Sequence, residues 1–152
     1  MITLRKFLPG DAEICTKIKK ENFLLINSKH YTPDTIKALL FSWTEYLLEK
    51  AQKRTYYVAE ENHEVIGMWW YENNEIHTFF VDPQKHGAGI GKKIMEQVLS
   101  DMKNNGISKA ICRSTDFAEK FYQSCGFKTI GRETIEFQWA PLPYILMEKE
   151  LS

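Results

Sequence analysis

The chain has 152 residues, 43% hydrophobic and 26% charged, which supplies the core of a single domain over residues 1–152 and argues against intrinsic disorder. Twenty Lys and Arg balance 20 Asp and Glu, so the chain lacks the net positive field that binding to nucleic acid or anionic membranes draws on. Cys15, Cys112 and Cys125 are odd in number and widely spaced, with no His at zinc-finger spacing; neither a disulfide framework nor a metal site is expected, and a reducing compartment fits.

In chain order, Met1 to Phe7 lacks the basic-then-apolar pattern of a signal peptide, and no apolar run is long enough to span a bilayer, so the expectation is a cytoplasmic protein. Ile2 to Leu8 reads as a strand stopped by Pro9-Gly10. Asp11 is placed to cap a helix carrying Ile14, Ile18 and Leu25 on one face. Asn27 to Thr32 is polar and loop-like. After Pro33, the spacing of Ile36, Leu39, Leu40, Trp43 and Leu47 predicts one continuous second helix.

From Thr55 the pattern turns to strands. Tyr56 to Ala59, Val65 to Tyr71 and Ile76 to Val81, separated by short polar turns, predict an antiparallel meander. Ile90, Ile94, Val98 and Met102 then mark a helix closed by Asn104-Asn105-Gly106, and Ile107 to Cys112 a short strand. Asp116 and Glu119 have capping-box spacing before a helix with Ala118, Phe121, Tyr122 and Cys125, and Gly126 is its C-cap. Lys128 to Trp139 and Tyr144 to Glu148 are the last strands, flanking a Pro141-Leu142-Pro143 connection. The order β-α-α-β-β-β-α-β-α-β-β predicts an α/β (α+β) fold, a mixed, mostly antiparallel seven-stranded sheet with helices on both faces.

The segment from Val81 to Lys92 joins a strand to a helix. Its glycines let backbone N–H groups approach an anion at the positive end of the helix dipole. A P-loop would need Gly at His86 and Ser or Thr at Lys93, and a dinucleotide fingerprint would need Gly at Lys92. Gln84-x-x-Gly87-x-Gly89, following Val81-Asp82-Pro83, instead resembles the acyl-CoA-binding motif of the GNAT N-acetyltransferase superfamily. Ala118-Glu119-Lys120-Phe121-Tyr122-Gln123-Ser124-Cys125-Gly126-Phe127 is similar to that family's second signature, A-x-x-F-Y-x-x-x-G-F, and the element order matches the GNAT fold end to end. More weakly, His30-Tyr31-Thr32-Pro33 with Ile36 and Trp43 resembles a bacterial subgroup of these proteins.

The resemblance implies acetyl-CoA as cosubstrate. Its pyrophosphate would lie on the amides of His86, Gly87, Ala88, Gly89, Ile90, Gly91 and Lys92, with charge added by Lys85, Lys92 and Lys93. The pantetheine would run along main-chain groups of Phe80 and Val81, in a gap where a backbone N–H polarises the thioester. Thr115 stands where many members carry an Asn that binds pantetheine. Tyr122 occupies the position of the general acid toward sulfur, although its stripe with Ala118 and Phe121 also suits a core tyrosine. Glu75, six residues before Val81, resembles the general base of one branch of the family, with His77 in reserve and a water chain as the other route; as a plain sequence feature it is an exposed charge after a turn. The acetyl group would pass directly to a primary amine, so no cysteine needs a role. The acceptor side holds His30, Tyr31, Phe41, Trp43, Trp69, Trp70, Tyr71 and Trp139, with Glu60, Glu61, Glu64, Glu72 and Glu75 at the meander turns, which suits a small-molecule amine. Alternatives are a protein amine, or a GNAT-fold module that binds CoA as a sensor without turnover. A monomer or homodimer is expected.

Overall fold

Strand alternation and tight turns build the first half of the sheet in the computed structural model, which describes residues 1–26, 29, 31–41 and 43–151. Strand β1 (Ile2–Lys6) pairs with β2 (Tyr57–Glu61), and β3 (Glu64–Glu72) and β4 (Glu75–Val81) complete the antiparallel meander. Asn62 and His63 both hold positive φ, 53° and 66°, the geometry with which two residues reverse a twisted strand pair. Helix α1 (Ala12–Glu21), α2 (Pro33–Leu40) and α3 (Trp43–Lys50) lie between β1 and β2. After the meander come α4 (Ile90–Asn104), β5 (Lys109–Ser114), α5 (Glu119–Ser124), β6 (Lys128–Phe137) and β7 (Ala140–Glu150). The sheet order is β1-β2-β3-β4-β5-β7-β6, and among the described residues only β4 and β5 run parallel. Among the described residues no helix is long and apolar enough to cross a membrane.

Three elements differ from the sequence expectation. The second helix is broken at Phe41, which is extended (φ −62°, ψ 123°). Its stripe is buried nevertheless: Ile36 and Leu39 pack near Phe23, whereas Trp43 and Leu47 join Cys15, Tyr56 and Met68. Helix α1 continues into a π-helical turn, Asn22–Ile26. The wider i→i+5 turn shifts the inward face, so Phe23 is buried and Leu25 is 68% exposed. Finally, Pro141 and Pro143 lie inside β7 and pair with Glu136 and Thr134 of β6. Strand β5 ends its pairing at Ile145, so this stretch of β7 has a free side where the missing N–H groups cost no ladder bond. Thr35 Oγ1 on α2 donates to the Pro141 carbonyl (2.8 Å). In the loop from Asn27 to Thr32, Asn27, Ser28 and His30 lie outside the described residues.

The core has two faces. Helices α4 and α5 cover Ile66, Trp69, Ile76, Ala110, Cys112 and Met147 on one side, and α1 and α3 cover Tyr56, Val58, Met68 and Trp70 on the other. Asp11 does stand before α1, but its carboxylate takes Arg5 (2.8 and 3.0 Å) and the Leu8 N–H (2.8 Å) instead of capping it. The Arg5 guanidinium holds the Asp11 carboxyl below its ordinary value.

Lys19 is 5% exposed on α1, its Nζ 3.2 Å from the centroid of the Trp43 indole. Burial pushes its pKa down from 10.5 to about 7. The unfolded chain then holds the proton more tightly, so this group's cost is full below about pH 7 and fades as pH rises toward the unfolded value. Lys19→Met is expected to raise the urea midpoint at pH 6.5, with a gain that shrinks by pH 10; an equal gain at both pH values would contradict this.

Candidate active site

Parallel strands β4 and β5 meet over only two residue pairs, Glu75 with Ile111 and Ile76 with Cys112. Beyond them the strands separate. The register between β3 and β4 slips between Met68 and Trp70, and Thr78 holds φ +52°, a left-handed conformation that a β-branched residue rarely adopts. This bulge marks the point where β4 leaves its neighbour. A cleft of about 600 Å³ fills the space, walled by Thr78 to Val81 on one side and Arg113 to Thr115 on the other, with the glycine loop at one end.

The loop is shaped locally. Asp82 accepts the Gln84 N–H (3.0 Å), turning the chain through Pro83–Lys85. Gly87 and Gly89 then hold φ +85° and +75°, so the chain can enter α4 at an angle other residues would resist. The N–H groups of the first helical turn, about Gly89 to Lys92, have no carbonyl one turn earlier to bond, and they sit at the positive end of the helix. Gly91 allows close packing: a Cβ there would lie 3.1 Å from Cε1 of Phe121. His86 Nε2 lies 3.0 Å from the Val81 carbonyl oxygen and therefore carries the proton, while its ring lies parallel to Phe117. Of the three lysines expected near an anion, Lys92 lines the cleft. Lys85 is drawn to Glu61 (3.3 Å), and Lys93 is exposed on α4.

Main-chain direction separates Phe80 from Val81. Asp82 N–H bonds the Ile66 carbonyl (2.7 Å), which makes the Phe80–Met68 pair hydrogen-bonded and turns the polar groups of Val81 away from β3. The Val81 carbonyl accepts Asn22 Nδ2 (2.9 Å) as well as His86, so its amide is the group left facing the gap. Phe80 offers its side chain to the cleft, and its main chain serves the sheet.

Tyr122 lies on the floor of the cleft, 6% exposed, with its ring against Phe121, Phe127 and Phe79. Burial, reinforced by Cys112 and Cys125, raises its pKa well above 10, so the phenol keeps its proton through the neutral range. Thr115 accepts the Ala118 N–H (3.1 Å), leaving its own hydroxyl proton to donate into the cleft it lines. This bond starts α5 and replaces the expected capping box. Asp116 and Glu119 are instead captured by Arg132 of β6, at 2.8 and 3.1 Å.

Glu75 is not brought to the cleft wall. Its carboxylate accepts Arg113 Nη1 and lies 3.5 Å from His77 Nδ1. His77 stacks on Trp70 (4.2 Å between ring centroids), and burial, then Arg54, holds its pKa below the ordinary histidine value. Three expected acceptor walls are core instead, because helices cover both sheet faces: Trp69 is buried on one side, and Trp43 and Trp70 on the other. Tyr71 bonds Asp101 of α4 (2.8 Å). Glu60 pairs with Arg5 and Glu61 with Lys85, so these carboxylates are neutralised. Tyr31 is half-buried against Phe23, and Phe41 meets Trp139 edge-on at 5.3 Å. His30 lies outside the described residues.

Sequence reasoning missed Asn22, Arg113, Ser114, Phe117 and Lys120, all of which line the cleft. Thr115 was a sequence signal for its neighbours Ser114 and Phe117, but Asn22 reaches the site from a helix far earlier in the chain. The thiols are unsuited to nucleophilic work, since burial raises the pKa values of Cys15 and Cys112 to about 12 and also raises that of half-buried Cys125. A thiol-reactive disulfide reagent is expected to modify Cys125 first and Cys15 and Cys112 only on unfolding; fast labelling of Cys112 in the folded protein would contradict this.

A family model described as an acetyltransferase (GNAT) domain matches residues 27–151. The uncharacterized N-acetyltransferase YafP of Escherichia coli K12 is 24% identical over 139 residues, spanning 91% of this chain and 89% of that protein. Among solved structures, a GCN5-related N-acetyltransferase from Rhodopseudomonas palustris has a TM-score of 0.88 at 17% identity, covering 97% of this chain and 94% of that one. PaiA N-acetyltransferase from Thermoplasma acidophilum, solved with coenzyme A, has a TM-score of 0.76 at 20% identity, covering 99% of both chains. With the glycine loop, the parted strands and the second signature all in one cleft, the chain belongs to the GNAT acetyltransferase family and is an N-acetyltransferase.

Proposed function

We propose that the protein transfers the acetyl group of acetyl-CoA directly to a primary amine of a small molecule. The observation that carries this reading is the gap between β4 and β5, with an anion-binding loop at one end and a protonated tyrosine on its floor. The amides from His86 through Gly87, Ala88, Gly89, Ile90 and Gly91 to Lys92 take the pyrophosphate, where the helix dipole and the Lys92 charge favour it. The Val81 N–H and the Thr115 hydroxyl hold the extended arm between them. Phe80 lends its ring to that wall.

Attack by the amine on the thioester carbon forms the C–N bond and places negative charge on the carbonyl oxygen. Collapse breaks the C–S bond and releases a thiolate. Tyr122 donates its proton to that sulfur, a role for which burial keeps it in the acid form, and the surplus proton on the acylated nitrogen returns through water to restore the phenol. The amine must arrive neutral. Glu75 stands off the cleft wall and is engaged by Arg113, so the proton leaves through intervening water toward His77, which burial keeps in its neutral, accepting form.

Acetyl-CoA is expected to raise the melting temperature more than ATP or NAD does, since a ligand held by the native state alone stabilises it. Free-thiol release over an amine panel then tests transfer, and binding without release for any amine would leave only a CoA-binding module. Tyr122→Phe is expected to lower kcat by about a hundredfold with little change in acetyl-CoA affinity. Unchanged kcat removes Tyr122 as the acid.

A further inference from the structure

We infer that Arg113 is an anion anchor for the acceptor, and that the acceptor amine carries a carboxylate, as an amino acid does. The inference rests on the transferase reading above and names its substrate class. On β5, Cys112 and Ser114 are buried, with Cys112 in the core under α4 and α5, so the intervening Arg113 projects from the opposite sheet face. Glu75 and His77 flank buried Ile76 on that same face of β4, and Tyr144 precedes buried Ile145 on that face of β7. Arg113 therefore enters the cleft from the side opposite Tyr122.

Its chemistry fits an oxyanion. The side chain is 45% exposed at the cleft wall. Among the described residues its hydrogen-bond partner is Glu75, through Nη1. The guanidinium carbon lies 5.3 Å from the Tyr144 ring centroid, and Tyr144 is tethered by its hydroxyl to Glu133. One edge of the planar fork is thus fixed by Glu75 and one face by Tyr144, while Nε and Nη2 remain to receive a second, planar, two-oxygen group. A carboxylate matches that fork with two parallel bonds, whereas a bare amine has nothing to offer it. The lysines that line the cleft, Lys92 on α4 and Lys120 on α5, come from the helices on the Tyr122 side. Glu75 is accordingly a positioning residue that sets the plane of Arg113.

The test measures thiol release from acetyl-CoA with matched pairs, each an amino acid and its carboxamide. The wild type is expected to favour the acid in kcat/KM by about tenfold or more, the worth of a charge-assisted pair. In Arg113→Ala, and in Arg113→Gln as a second variant of near-native shape, that preference is expected to collapse toward one. Glu75→Gln is expected to erode it through KM for the acid. Amides turned over as well as acids, or a preference that survives both Arg113 variants, overturns the inference and leaves the transferase reading intact. An equal fall in kcat for acid and amide in Glu75→Gln, with a displaced pH profile, makes Glu75 the base and overturns its positioning role. Release with no amine of either kind, despite acetyl-CoA binding, overturns the transferase reading and the inference with it.

Discussion

The structure turns on two parallel strands that pair for two residues and then part. Everything placed at the site depends on that separation. The bulge at Thr78 holds a β-branched residue in a conformation it disfavours, and the surrounding meander, paired on the other side through β3, keeps it there. In return β4 leaves the ladder with the Val81 amide turned toward an open space. A continuous ladder would have spent that group on β5.

The two walls of the cleft are held by different forces. On the α4 and α5 side the control is apolar: Gly91 admits Phe121, Phe121 packs on Tyr122, and Phe127 closes the other edge of the phenol. The same burial that packs Tyr122 keeps it protonated, and it disarms the thiols of Cys112 and Cys125 nearby. On the opposite face the control is ionic and aromatic, running from Arg54 over Trp70 to His77, Glu75, Arg113 and Tyr144. An apolar wall suits proton custody, and a charged wall suits selection among ligands.

Features set by neighbours in sequence were legible in it. The glycine loop is governed by an Asp cap, two positive-φ glycines and a helix start, all within a few residues, and the meander by alternation between polar turns. The π-turn after α1 was not legible, because Leu25 and Phe23 are equally apolar and only packing against Phe80 decides which turns inward. The break at Phe41 hides for a similar reason, since its flanking residues keep helical spacing. Prolines 141 and 143 looked like a connection because their tolerance depends on how far β5 extends, a distant fact. Charges misled most: Asp116 and Glu119 have capping-box spacing, and Lys85 sits beside the loop, yet each is claimed by a partner on another element.

The short seam between β4 and β5 also creates two strand edges inside the sheet. Exposed edges normally invite pairing with other chains and hence aggregation. These two face each other across a cleft closed at one end by the glycine loop and floored by α5, so a second protein strand has no straight path along them. What the interior edge can accept is a slender, extended molecule carrying amides of its own. The pantetheine arm of CoA is such a molecule, and to the sheet it amounts to a borrowed strand.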